Sequence, residues 1–246
     1  MTAKAETERE PGDAAGRTAP LPFTRAGALA GARASLPLAA GVVAYGAVFG
    51  VLARQAGLTL LEEVLMSALV AAGASQFVAV GMWAAPLPVA SIVLTTLVVN
   101  LRHLLMGVAL RPWFGRLPRA KAYGSLFFLS DESWALTTRA LAKGDGDGAF
   151  LAGSGVVLDG AWLLSGAAGY LLGATLGDPG RWGLDFAFTA AFVALLVGSW
   201  TGKANLLPWG VAAATAVAAD ALLPGTWYVL VGGLAGSAVG GWRGAR

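Results

Sequence analysis

The sequence predicts an all-α membrane protein, a polytopic bundle of seven or eight transmembrane helices with a candidate internal repeat. Three observations carry this reading. Hydrophobic residues make up 57% of the 246 and charged residues only 13%, with a mean hydropathy of +0.67, whereas a soluble domain carries about 25% charge. So few charges cannot coat a surface that faces water. The apolar residues also come in runs long enough to cross a bilayer, which takes roughly 17–25 residues as a helix. Glycine, 35 residues in all, recurs at four-residue steps inside these runs and lets helix backbones approach closely in lipid.

Taken in order, Met1 to Arg33 mixes charges and prolines without an apolar core. Residues 1–33 read as a polar, largely disordered tail, with room for a short interfacial helix at its end, and not as a cleavable signal peptide. A membrane domain then covers residues 34–246. Its clearest spans are Leu36–Ala53, Val64–Trp83, Pro88–Leu110 and Phe150–Leu176. Three shorter ones are Leu184–Trp200, Asn205–Leu223 and Thr226–Trp242. An eighth candidate, Tyr123–Leu141, is interrupted by Ser130, Asp131, Glu132 and Arg139. That segment decides between seven spans and eight.

The glycine steps are Gly46 and Gly50 in the first span, Gly169, Gly173 and Gly177 in the fifth, and Gly232, Gly236 and Gly240 in the last. Plain helix packing accounts for them best. Gly46–Ala72 and Gly169–Val197 are also similar. Each holds a glycine-stepped helix, a loop with an acidic residue (Glu63 or Asp185) and a small-residue helix, and internal repeats are a transporter habit. The two units run parallel if Tyr123–Leu141 spans, and inverted if it does not.

The net charge of +3 comes from Arg and Lys in the tail and between apolar runs, which reads as topology signal rather than a nucleic-acid surface. Arg25, Arg33, Arg243 and Arg246 favour both termini inside. With eight spans that leaves Arg111, Arg116, Arg119 and Lys121 outside, so the two signals conflict.

Polar side chains within apolar runs mark the candidate site, because an ionisable group at mid-membrane costs about 2.5–3.5 kcal/mol. In L-T-T-L-V-V-N-L-R-H-L-L, residues Thr96, Asn100, His103 and Gly107 fall on one helical stripe. His103, the one histidine of the chain, is either a hydrogen-bonded structural imidazole or a group that binds a carboxylate or passes a proton. Arg102 points elsewhere and can snorkel to the interface. The stretch A-A-G-A-S-Q-F places Gly73, Ser75 and Gln76 where a helix break would expose backbone groups to a substrate, or where two helices cross closely. In F-F-L-S-D-E-S-W-A-L, Ser130 and Asp131 read as a helix N-cap with Glu132 favourable to the dipole. The alternative is a broken helix that brings both carboxylates to a cation or proton. Asp159 and Asp220 are paired or interfacial, and Asp185 reads as a cap for the sixth span.

Other chemistries lack their residues. There is no cysteine, hence no disulfide or thiolate site, and one histidine without cysteine does not supply the usual ligand set of a zinc site. No GxxxxGK[ST] loop is present for ATP, and no HExxH or GxSxG motif. The chain reads as a non-enzyme without metal or cofactor.

The stretches G-L-T-L-L-E-E-V-L-M-S-A-L-V-A-A-G-A-S-Q-F (57–77), L-T-T-L-V-V-N-L-R-H-L-L-M-G (94–107), L-S-D-E-S-W-A-L (129–136) and G-L-D-F-A-F-T-A-A-F-V-A-L-L-V (183–197) together resemble the AzlC-like family of branched-chain amino acid permeases. The resemblance runs from about Leu36 to the C-terminus and leaves the tail out. It implies a multi-pass transporter of leucine, isoleucine and valine in the plasma or inner membrane, usually described as an exporter. It also implies a smaller, AzlD-like membrane partner of three or four helices. No site residues carry over from the family.

The residues suit such a substrate. A zwitterion with an aliphatic side chain needs a carboxylate partner, an ammonium partner and an apolar pocket. Amides near Gly73–Gln76, with Arg102 or His103, can serve the carboxylate; Asp131, Glu132 or Asp185 can serve the ammonium or exchange a proton. Movement would be downhill or driven by an ion gradient. The rival readings are uptake, another small solute, or a membrane assembly subunit that transports nothing.

Overall fold

The structure is a computed structural model that describes residues 20–144, 146–175, 202–223 and 227–244, with a few single positions between 189 and 200. Among the described residues every regular element is helical. The helices are α1 (Arg25–Gln55), α2 (Leu60–Val70), α3 (Gly73–Gly81), α4 (Val89–Phe114), α5 (Arg119–Leu126), α6 (Asp131–Ala142), α7 (Ala149–Gly173), α8 (Leu206–Leu222) and α9 (Trp227–Gly244). Four stretches are long and apolar enough to cross a membrane: α1, α4, α7, and α8 with the short 3-10 turn before it, Lys203–Leu222. Large apolar side chains cover their outer faces, among them Leu97, Leu104, Leu105, Val108, Leu164 and Val217. The chain is therefore a multi-pass membrane protein, with lipid as the solvent for these faces.

The helices belong to two units. The first joins the described residues up to Ser35 with Met106–Val156. Its core is Leu21, Leu110, Phe114, Leu117, Leu129, Leu141 and Leu151. Asp147 fixes the start of α1. Its carboxylate accepts from the Thr24 hydroxyl at 2.6 Å and from the Thr24 amide, and also from the Ala149 amide at the start of α7 at 2.8 Å. That anchor explains why the helix begins at Arg25, inside the stretch read from sequence as tail. The segment Tyr123–Leu141 is not one helix. It divides into the eight-residue α5 and the twelve-residue α6. Ser130 caps α6 by accepting from the Ser133 amide, while the Ser133 hydroxyl accepts from the Ser130 amide, which satisfies two otherwise open donors.

The second unit joins Leu36–Leu105 with the described residues from Val157 onward. Here the glycine steps of α1 and α7 face each other. A β-carbon on Gly50 would collide with the carbonyl oxygen of Gly166, and one on Gly169 with that of Ala47. Only bare backbone fits at this crossing. Gly232 and Gly236 of α9 are spent in the same way, against Ala212, Ala216 and Pro208 of α8. The glycine faces of these helices thus close the chain on itself. Gly177, Asp185 and most of the second copy of the candidate repeat beyond residue 175 lie outside the described residues.

Candidate functional site

The apolar run 60–81 is a broken helix. Thr59 starts α2 with a capping box: its side chain accepts from the Glu62 amide, and the Glu62 carboxylate accepts from the Thr59 amide at 2.7 Å. Eleven residues later α2 stops at Ala71, which takes the left-handed conformation with φ 45° and ψ 33°. A residue with a β-carbon pays steric strain there. Ala72, with φ −145° and ψ 82°, is also non-helical, and α3 restarts at Gly73 with no side-chain cap. Two opposed helix ends thus meet at Ala71–Ala72, with open carbonyls and a partial negative charge from α2, and open amides and a partial positive charge from α3.

The walls of the break are polar on one side and aromatic on the other. Ser75 and Gln76 are fully buried on the first turn of α3. Ser75 Oγ donates to the Ala72 carbonyl at 2.8 Å and accepts from Asn100 Nδ2 of α4 at 3.3 Å. Neither end of the Gln76 amide has a hydrogen-bond partner among the described residues, and Asn100 Oδ1 and the Trp162 indole nitrogen are equally unpartnered. Buried polar atoms of this kind are few in native structures and each asks for a reason. On the aromatic side, Trp162 stacks on Phe49 with ring centroids 5.3 Å apart, and Phe77 meets both rings edge-on. Gly73 admits that wall, since a β-carbon there would stand 2.9 Å from the Trp162 ring.

The structure brings Gly73, Ser75, Gln76 and Asn100 together. The stripe on α4 divides on closer view. Thr96 returns its hydroxyl to the Ile92 carbonyl of its own helix at 2.8 Å. His103 Nδ1 lies 3.3 Å from the Asn100 carbonyl, also on its own helix. Asn100 reaches another helix through Ser75 of α3. Arg102 is half-buried on α4. Asp131 and Glu132 stand in the other unit, in the first turn of α6, half-buried and exposed respectively. Asp185 lies outside the described residues. Sequence reasoning treated Glu63 only as a loop acid, yet it is a wholly buried member of α2. The signal for it was the Thr59–Glu62 capping box, which starts the helix at Leu60 and puts Glu63 inside.

These features define a multi-pass helical membrane protein whose interior holds a discontinuous helix lined by unpaired amides, the construction common in transporters. The AzlC protein family model matches residues 37–176, more than half of the chain, and the chain belongs to that family. It is 25% identical over 169 residues to the branched-chain amino acid transport protein AzlC of Bacillus subtilis, across 68% of this chain and 65% of that protein. It is 30% identical over 182 residues to the inner membrane protein YgaZ of Escherichia coli, across 72% and 74%. A membrane protein of Haemophilus influenzae is 29% identical over 183 residues, across 72% and 75%. No solved structure matches.

Proposed function

We propose that the chain exports branched-chain amino acids, leucine, isoleucine and valine, together with a small AzlD-like membrane protein, downhill or on an ion gradient. The observation that carries this reading is the break at Ala71–Ala72. One end of a broken helix offers amide donors to a carboxylate, and the other offers carbonyl acceptors to an ammonium. A free amino acid presents these two groups one carbon apart. Gln76 and Asn100 supply further donors and acceptors for whichever end is not fully met. The rings of Phe49, Phe77 and Trp162 supply an apolar wall for an aliphatic side chain.

The name of the Bacillus relative supports this substrate class. The glycine faces are used inside the chain, so the partner protein would dock on other surfaces. The test is release of labelled leucine from cells that express both chains after loading with a leucine-containing dipeptide. Faster release than in cells lacking the chain supports export. Unchanged release, with both proteins shown to be in the membrane, defeats it. Faster accumulation instead would favour uptake.

A further inference from the structure

Glu63 is 0% exposed, yet among the described residues its carboxyl has a single partner, the Ser67 hydroxyl, which donates to Oε1 at 3.1 Å. Oε2 is buried and has no hydrogen-bond partner among the described residues. The carboxyl fits because Gly166 of α7 has no side chain: a β-carbon there would fall on Oε1, with the Gly46 carbonyl of α1 beyond it. Along α7, Gly166 stands one turn from Trp162, the residue that touches Gly73. The carboxyl and the helix break therefore meet neighbouring positions of α7, about 6 Å apart along its axis. On α2, Glu63, Ser67 and Ala71 lie on one face, which leads from the carboxyl to the break.

A charged carboxylate sealed from water needs a compensating cation. Among the described residues the nearest packed groups are no cation: α1 offers a backbone carbonyl and α7 a glycine. The described ionisable groups of α1 and α7 in this unit lie elsewhere. Tyr45 packs on the Phe77 ring, Arg54 lies over the Tyr170 ring, and Tyr170 donates to the Leu58 carbonyl at 2.7 Å. Asp159 is two turns from Gly166 on α7, about 10 Å away. On its own helix, Glu62 points to the exposed cap at Thr59. With Gly166 pressed against Oε1, no room remains on that side for a hydrated metal ion. A proton needs none.

We propose that Glu63 is the coupling carboxyl of this transporter, which binds a proton at Oε2 on one side of the membrane and releases it on the other during the transport cycle. Only the O–H bond is made and broken. The inference rests on the transport reading above, and its test separates the two. The full chain with its small partner is reconstituted in liposomes, and leucine counterflow is measured beside leucine flux driven by a pH gradient. Glu63→Gln keeps counterflow but loses driven flux by about tenfold or more, and Glu63→Asp, which retains a carboxyl, restores part of it. In infrared spectra of the purified protein taken across a pH series, the parent shows the carbonyl stretch of a protonated carboxyl that Glu63→Gln lacks. Equal driven flux and equal spectra for parent and Glu63→Gln overturn the proposal, as does flux driven by a sodium gradient in place of a pH gradient. If the parent shows no counterflow of leucine, the substrate reading fails and the infrared band alone decides on Glu63.

Discussion

Asn100 on α4 donates to the hydroxyl of Ser75 at 3.3 Å, and that hydroxyl donates in turn to the carbonyl of Ala72 at 2.8 Å. Two bonds thus tie the polar stripe of one helix to the unwound residue of another, and they hold the break in a fixed shape. They also leave Asn100 Oδ1 buried and unpartnered, as an acceptor next to open helix ends.

Asn100→Ala removes both the tie and the acceptor. A neutral hydrogen bond contributes about 0.5–1.5 kcal/mol, so the half-saturating leucine concentration should rise roughly threefold to tenfold. The maximal rate should change less, because an amide binds without exchanging protons. Concentration-dependent counterflow measures both. A fall in maximal rate at unchanged half-saturation would move the role of Asn100 from binding to the conformational cycle.

Ala71 carries the strain of the break. Its φ of 45° is a conformation that costs a residue with a β-carbon about 1–2 kcal/mol and costs glycine nothing. Ala71→Gly should therefore stabilise the protein by about 1 kcal/mol, since glycine regains part of the difference as chain entropy. Ala71→Val should destabilise it, because a β-branched side chain is worse there. Thermal unfolding of the detergent-solubilised protein reads both. If Ala71→Gly melts lower than the parent, the break is not strained as described.

The crossing of α1 and α7 gives a sharper contrast. Gly50→Ala and Gly169→Ala each drive a methyl into a backbone carbonyl, which no rotamer can relieve. Each should cost about 2 kcal/mol or more, with loss of monodisperse protein on size exclusion. Gly41→Ala and Gly107→Ala meet nothing within 4 Å and should behave like the parent. Similar stability for all four variants would mean that the crossing is looser than it looks.

How much of this was legible in the sequence differs from feature to feature. The extents of two helices were, because hydropathy sums locally: Pro88–Leu110 was expected against Val89–Phe114, and Asn205–Leu223 against Leu206–Leu222, whereas Val64–Trp83 and Tyr123–Leu141 are each two helices. The early start of α1 was not. It depends on Asp147, which binds Thr24 across 123 positions of sequence, and a local window cannot see such a partner. The run A-A-G-A-S-Q-F raised a helix break or a close crossing, with Gly73 leaving the backbone uncovered. The left-handed residue is Ala71, and Gly73 is small in order to admit Trp162. The pairing of Glu63 with Gly166 was hidden for the same reason as the anchor at Asp147. A glycine that makes room for a distant carboxyl looks like any other glycine in a helix-packing step.

His103 offers the last test, because it is the natural rival to Glu63 as a proton carrier. An unperturbed imidazole titrates near pH 6.5, within the physiological range, and His103 shares a helix face with Asn100. The structure places its Nδ1 3.3 Å from the Asn100 carbonyl of its own helix, where the ring nitrogen donates its N–H. A glutamine can imitate that contact with its amide. His103→Gln should therefore insert and fold normally, keep leucine transport within about threefold of the parent and retain its dependence on pH. Flux at several pH values, normalised to the amount of protein in the membrane, decides the matter. Loss of the pH dependence in His103→Gln, with Glu63→Gln still responsive to pH, would transfer the proton to the histidine and leave Glu63 as a buried structural acid.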